Sequence, residues 1–469
     1  MNRCYRHRLA TGVLMVCCGL LNTPLHASID PAPPIKPDVV SSQQASPFPQ
    51  PAALRDNVAF WRSVFSEWRQ NQVAMHDKVY TGLIYEVFDL GGKVNDSLTE
   101  AQKSQVAQRR ELWESRLQRI ATEQAEELST EDQALRQRII DVAGVAAVKE
   151  AHLRLRTQRG VRERFMRGLA TSGRYDAVFR RAFKEAGLPE DLAYLPHVES
   201  SFQPHARSSV GATGMWQFTR AAGERFMTVN KVVDERLDPV ASARGAARYL
   251  KHAHQQLGDW SLAITSYNHG IQGMMNARAE FGTDFGRIVN EYKGKTFGFA
   301  SQNFYAEFLA VREIASQPER FFPEGVNFEA PMRDIHVVLD RPARASDLAN
   351  RYSVAHKDLL AMNPAWSERA RLGKVAIPAG VMVSLPAATQ KNAIADLKIA
   401  QAHSSAASKP KVRANSNSDA RVHVVRKGDT PWLIATNYGV TVTDLLANNQ
   451  LTKRSVIRPG QRLGIPFNG

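Results

Sequence analysis

All three cysteines, Cys4, Cys17 and Cys18, fall within the first 18 of 469 residues. The rest of the chain must therefore build its core without a disulfide or a cysteine metal ligand, by packing alone. A chain of this length has room for two or more domains that each bury a core. Hydrophobic residues at 43% and charged residues at 23% are ordinary globular fractions and exclude wholesale disorder. These constraints favour a helical core over a small stapled module.

The N-terminus has three parts. Arg3, Arg6 and Arg8 precede an apolar run from Leu9 to Leu21, and Leu25-His26-Ala27 comes next with small or neutral residues. This order predicts a secretory signal over residues 1–27, too short for a comfortable membrane span. Lipidation at Cys17 or Cys18 ranks second, because Leu14-Met15-Val16 lacks the usual small residue before the modified cysteine. A formal charge of +15 suits an anionic partner: nucleic acid, an acidic membrane surface or the carboxylate-rich bacterial wall. Charge does not choose among these, but an export signal directs the chain away from nucleic acid and towards the periplasm.

Composition then divides the chain. Residues 28–53 hold Pro31, Pro33, Pro34, Pro37, Pro47, Pro49 and Pro51 and read as an extended linker. Residues 54–160 read as a charged helical extension of two or three long helices. In it Leu112, Trp113, Leu117 and Ile120 recur at helical spacing between Arg109, Arg110, Arg116 and Arg119. Residues 161–325 form a second helical region, richer in glycine and aromatics. Residues 334–386 open with an extended segment, Ile335 to Leu339, and continue as helix. Residues 387–420, rich in Ala, Ser, Lys and Asn, read as a flexible tether. Residues 421–467 read as strand, turn, two short helices and a closing strand near Arg462 to Ile465. The expected class is mainly α, with small α+β modules at the C-terminus.

Within Gly187 to Phe202, Pro189 suits a first helical turn, with Glu190 and Asp191 at the positive end of the dipole. Helical spacing places Leu192, Leu195, Glu199 and Phe202 on one face. Glu199 thus stands where the period asks for an apolar side chain. Desolvation there raises a carboxyl pKa, and an acid kept protonated near neutrality can protonate a leaving oxygen. The pattern alone fits two plainer readings at least as well: a buried Glu paired with an Arg, or a helix end where the face rule lapses. Pro196 cannot donate its backbone bond, so a kink is expected just before Glu199.

The residues after Glu199 narrow the choice. Pro204, Gly211 and Gly214 break the chain into a loop before a new helix. Glu199-Ser200, Ser208, Gly211-Ala-Thr-Gly-Met-Trp-Gln-Phe218, Ser266-Tyr267-Asn268 with Gly270, and Asn303-Phe-Tyr-Ala306 occur in order over about 160 residues. This set resembles the lysozyme-like lytic transglycosylases of the membrane-bound lytic murein transglycosylase D type. The sequence departs from that pattern at Thr219-Arg220, His269 and Ser301, where many relatives carry a Glu. The resemblance implies a lysozyme-like helical domain that cuts the glycan between N-acetylmuramic acid and N-acetylglucosamine. It implies Glu199 as general acid and then general base. It also implies Ser208 and Gln217 as substrate contacts, with Tyr267, Asn268 and Tyr305 flanking the cleft.

In that mechanism the muramic acid 6-hydroxyl attacks the anomeric carbon and leaves a 1,6-anhydro end, so no cofactor or metal is expected. His197, His205 and His269 show no metal-ligand spacing. Two alternatives remain: a lysozyme-type hydrolase of the same bond, and a non-catalytic wall-binding protein.

Residues 422–466 include Gly428-Asp-Thr430, Trp432, Asp444-Leu-Leu-Ala-Asn-Asn449 and Arg458-Pro-Gly-Gln-Arg-Leu-Gly-Ile-Pro466. They resemble a LysM domain, which implies binding of N-acetylglucosamine-containing glycans. Residues 334–386, with Asp358-Leu-Leu-Ala-Met-Asn-Pro364, resemble a worn copy without the Gly-Asp-Thr turn. The expected partner is the peptidoglycan glycan strand. A monomer is expected, either soluble in the periplasm or associated with the outer membrane, with no nucleic-acid partner.

Overall fold

The computed structural model describes residues 46–92, 95–389 and most of 421–466. The expected signal segment, most of both expected linkers, the Gly428-Asp429-Thr430 turn and Trp432 lie outside the described residues. All the described elements belong to one compact unit, Pro47–Gly469.

Helix α1 (Arg55–Ser66) buries Val58, Trp61 and Phe65, three and four residues apart. It leads into a three-stranded antiparallel sheet in which β1 (Gln72–Asp77) lies between β2 (Ile84–Asp89) and β3 (Leu155–Arg159). Helices α2 (Glu100–Thr122) and α3 (Thr130–Ala143) cover one face. Thr99 and Gln102 form a reciprocal cap on α2, and Ser129 caps α3. Leu117, Ile120, Leu135 and Ile139 pack there against Met75, Leu83 and Tyr85, while Ala74 joins the main core on the other side.

The sheet corrects the expectation of helices throughout 54–160. From Val73 to Asp77, β1 is buried at every position, so it lacks the polar-apolar alternation that marks a half-buried strand. In β3, Leu-Arg-Thr-Gln-Arg simply continues the charged composition of the helices before it.

The linker expectation is corrected at its end. Phe48 is buried, with ring centroids 5.1 Å from Phe308 and 5.8 Å from Trp260. The Pro49 carbonyl accepts a 2.8 Å bond from the Tyr305 hydroxyl. One aromatic anchor turns the last Pro-rich residues into part of the core.

Helix α4 (Arg162–Glu185) runs through that core, burying Phe165, Leu169, Phe179 and Phe183. Around it lie α5 (Leu195–Glu199), α6 (Pro239–Leu257), α7 (Trp260–His269) and α8 (Phe299–Ser316). The Asp238 carboxylate caps α6 by accepting the Val240 and Ala241 N–H groups at 2.9 and 2.8 Å, with Pro239 at the first helical position. Among the described residues no helix is long and apolar enough to cross a membrane.

Residues 334–386 form a separate small module. Strands β4 (Ile335–Val338) and β5 (Met382–Leu385) pair antiparallel, Ile335 opposite Leu385, and enclose helices α9 (Ala345–Tyr352) and α10 (His356–Met362). The Asn363 side chain closes it from within: its amide donates to the Ser384 carbonyl at 2.9 Å, and its oxygen accepts the Ser384 N–H at 2.8 Å. The C-terminal module repeats the device. Its strands β6 (Arg421–Val424) and β7 (Arg462–Ile465) pair antiparallel, with helix α11 (Val442–Asn448) between them in sequence. Asn449 makes the same two bonds to Gly464, at 2.7 and 2.6 Å. Asn363 and Asn449 end the matching runs Asp358-Leu-Leu-Ala-Met-Asn and Asp444-Leu-Leu-Ala-Asn-Asn.

The module 334–386 is not a free appendage. The Asp234 N–H donates to Ala365 O and the Ser367 N–H to Val232 O, each at 2.8 Å, and Val233 shares an apolar cluster with Trp366. Asn363→Ala strands two buried backbone groups on Ser384 and should cost about 1–3 kcal/mol. Urea unfolding should show a lower midpoint at unchanged slope; a change under about 0.5 kcal/mol would contradict this account of the closure.

Candidate active site

The chain reaches Glu199 through a 3₁₀ turn, Glu190–Tyr194, that passes into α5 at Leu195-Pro196. Pro196 stands in the first turn of α5, where its missing N–H costs no helical bond, so the expected kink is the change of helix type. Leu192, Leu195 and Phe202 are buried as the face rule requires. Glu199 is the last residue of the helix. After Ser200, Ser201 and Phe202 have φ of 52° and 56°, in the left-handed region, and turn the chain out of the helix. A Cβ on Gly168 of α4 would lie 2.8 Å from Ser201 O, so the missing side chain lets α4 pack tightly against this turn.

The loop after the turn is fixed by three contacts. The Ser200 hydroxyl donates to Met215 O at 2.9 Å, the Tyr267 hydroxyl to Trp216 O at 2.9 Å, and Arg236 Nη1 to Phe218 O at 3.2 Å. Gly214 has φ of 81°, and a Cβ there would meet Arg236 O at 1.9 Å; only glycine fits. Trp216 lies beneath the loop, fully buried against Phe179 and Phe183. It is a core residue, not a sugar platform.

The Glu199 carboxyl lies deep among protein atoms while its residue keeps partial solvent access. Among the described residues it makes no side-chain hydrogen bond and no ion pair. Arg180 and Arg312 both hold Asp191, at 3.1 and 2.6 Å, and Arg164 donates to the backbone carbonyl of Ser200 at 3.5 Å, not to the Glu199 carboxyl. Burial, reinforced by the negative charge of Glu307, pushes the Glu199 pKa up to about 8. Burial alone pushes Glu307 up to about 8. Tyr267 is raised well above its ordinary value by burial and then by the Glu199 charge. His197 is buried against Phe165 and Phe202, and desolvation lowers it to about 3, so it stays neutral.

Of the expected residues, Ser208 and Gln217 lie on the loop whose Met215 carbonyl binds Ser200, and Tyr267 binds the same loop at Trp216 O. Gln217, with φ of 46°, folds its amide back onto Ala206 O and Gly214 O at 3.2 and 2.7 Å. Ser208 sits on the same loop, its hydroxyl accepting the Ala212 N–H at 3.0 Å. Asn268, next to Tyr267, is exposed and accepts a 2.7 Å bond from Ser301, the position where a Glu is common. Tyr305, expected beside the cleft, is instead part of the core. It has no exposed surface, and its hydroxyl is bound to Pro49 O on another side of α8.

Glu307 was not anticipated. Yet it lies four residues beyond Asn303 on a helix face that continues with Ala310 and Ile314, both buried, so it too is a carboxylate on an apolar stripe. Among the described residues no cluster of three His, Cys, Asp or Glu side chains is placed to hold a metal ion.

A buried carboxyl at a helix end without a cationic partner has the chemistry that a proton donor needs. Residues 176–287 match the transglycosylase SLT domain and residues 423–466 the LysM domain, so the chain carries both. Among individual proteins, the chain is similar to the membrane-bound lytic murein transglycosylase D of Escherichia coli, 29% identical over 292 residues. That alignment covers 60% of this chain and 61% of that protein, so the chain spans under two thirds of the relative's length. It is 35% identical over 128 residues to the membrane-bound lytic murein transglycosylase F 2 of Alkalilimnicola ehrlichii, covering 26% of this chain and 27% of that one. The SLT match includes Glu199, Ser208, Gln217, Tyr267 and Asn268 and ends before Tyr305 and Glu307.

A carboxyl whose folded pKa is raised holds its proton more tightly when folded. The stability tied to that proton is fully present below the unfolded value near 4.5 and is lost as pH rises through about 8. Glu199→Gln removes the titration. The melting temperature of the variant should therefore gain on the wild type progressively from pH 5 to pH 8 and level off above; a pH-independent gap would mean that the carboxyl is not held protonated.

Proposed function

We propose that this chain cleaves peptidoglycan glycan strands between N-acetylmuramic acid and N-acetylglucosamine without water, leaving 1,6-anhydro ends. The observation that carries the reading is Glu199: an acid without a cationic partner, protonated below about pH 8, beside a rigid loop and Tyr267. Protonated Glu199 donates to the glycosidic oxygen as that bond breaks. The substrate acetamido oxygen stabilises the positive charge at the anomeric carbon. The ionised carboxylate then accepts the proton of the muramic acid 6-hydroxyl, which attacks the anomeric carbon intramolecularly and so with high effective molarity. Ser208, Gln217 and Asn268 line the sugar-binding side, their amides and hydroxyls suited to N-acetyl and hydroxyl groups. Lytic murein transglycosylase relatives support this chemistry and a place in the cell envelope.

The C-terminal LysM domain is assigned to N-acetylglucosamine-containing strands, and residues 334–386 to a LysM-like copy, on the shared asparagine closure. A glycan-binding module tethered to the catalytic domain raises its local concentration on the wall.

Glu307 favours one second reading. Hydrolases of such bonds pair two carboxyl groups, and this site holds two. Mass spectrometry of fragments released from purified sacculi separates the cases: anhydro ends are lighter by one water than hydrolysed ends. Anhydro products from the wild type, with release by Glu199→Gln lowered about 10²- to 10⁴-fold, are expected. Hydrolysed ends would favour the second reading; sacculus binding without release would leave only a wall-binding protein.

Glu307→Gln supplies an independent check. The alkaline limb of kcat/KM reports the loss of the Glu199 proton, and removing a like charge lowers that pKa. The limb should move to lower pH in the variant; an unmoved limb would mean that Glu307 does not act on the acid.

A further inference from the structure

We infer that the module 334–386 is a brace for the active-site loop 206–218, and that Asp234 and Arg236 are the positioning residues that carry its hold to the loop. The inference rests on the proposed glycan cleavage at Glu199 for its functional meaning, although the brace itself is a property of the fold.

The path is continuous. Residues 365–367 of the module pair with residues 232–234 as a short antiparallel bridge, closed by the two 2.8 Å backbone bonds at its ends. Val233 and Trp366 are both buried in the module's own cluster, with Leu348, Ile377 and Val383. The segment 232–234 is thus part of the module's core although it belongs to the preceding domain in sequence. Asp234, held there by its backbone, grips Arg236 at both ends of a bidentate pair, Oδ1 to Nε at 2.9 Å and Oδ2 to Nη2 at 2.8 Å. Such forked pairs fix direction as well as distance. The remaining Arg236 nitrogen, Nη1, donates to Gly211 O at 3.3 Å and Phe218 O at 3.2 Å, the two limbs of the loop. Arg236 is itself buried, and its carbonyl fills the space that a Gly214 side chain would take.

A second seam runs alongside. Met382 of β5 packs with Val240 and Ala241 in the first turn of α6, next to the buried cap Asp238. The module therefore grips residues 232–241 from two sides.

What the brace holds is chemically placed. Between Gly211 and Phe218 lie Met215, whose carbonyl receives Ser200 next to Glu199, Trp216, whose carbonyl receives Tyr267, and Gln217 at φ of 46°. A non-glycine residue in that region persists only where its surroundings hold it. An intact strand–helix–helix–strand module without the Gly-Asp-Thr turn has kept its closure and its docking edge, the parts a brace needs.

The test uses the full-length protein and two variants. Trp366→Ala loosens the module end of the path, far from Arg236 in sequence. Asp234→Asn keeps the turn and the module intact and breaks only the ion pair. Amide hydrogen exchange, which does not depend on turnover, should accelerate about tenfold or more at Thr213 and Gly214 in both variants. The α4 amides should keep the wild-type rate. On a short soluble glycan, kcat should fall about 10- to 100-fold, as expected for a displaced catalytic loop, with sacculus pelleting unchanged. The double variant should lose little more than the worse single one, because both cut one path. Wild-type exchange at 213–214 in Asp234→Asn, or faster exchange confined to 334–386 in Trp366→Ala, would overturn the brace. Fully additive losses would overturn it too. Fragment release by the wild type judges the proposed function separately.

Discussion

The site depends on keeping one carboxyl away from positive charge in a chain that is full of it. With 61 Lys and Arg residues against 46 acidic ones, an unpaired buried Glu is not the default outcome. Here Asp191 takes both Arg180 and Arg312, Glu313 takes Arg62, and Asp234 takes Arg236. These guanidinium groups are directed to carboxylates other than Glu199 and Glu307. The ion pairs are partly exposed, so each contributes only modestly to stability. Burial and the like charge of Glu307 are what remain to act on the Glu199 proton.

Rigidity is the companion requirement. An acid at the end of a five-residue helix has little support from the helix itself, and the structure supplies it from outside. α4 presses against the turn at Gly168, Ser200 and Tyr267 bind successive carbonyls of the facing loop, and Arg236 ties the two limbs of that loop together. The fully buried Trp216 forms the floor. Proton transfer needs both partners within hydrogen-bond reach at the same time, and each of these contacts removes a motion that would part them.

Much of this was legible in the sequence for identifiable reasons. Glu199 interrupts an apolar face whose other members are buried, and the glycines and prolines after it mark the loop at its true position. At 334–386 the opening strand and the helix after it were readable from the residues, whereas the closing strand Met382–Leu385 was implied only by the resemblance to a LysM domain. Three features were not. β1 is buried on both faces and shows no alternation. Phe48 was hidden among prolines, whose abundance suggests an extended linker. Tyr305 and Glu307 are two residues apart on α8 and so point to different sides. Sequence order could place the tyrosine near the motif set, but only the packing of α8 against Pro49 decided which of the two faces Glu199.

The asparagine closure found in both small modules separates two properties that are often lost together. Asn363 and Asn449 each fasten the end of a helix to the last strand, through bonds to Ser384 and Gly464. A copy built this way can lose its outward-facing chemistry without coming apart. Duplication of such a unit thus yields a ready-made architectural part: one copy is free to keep its ligand, while the other can be reassigned to structural service with no new fold to invent.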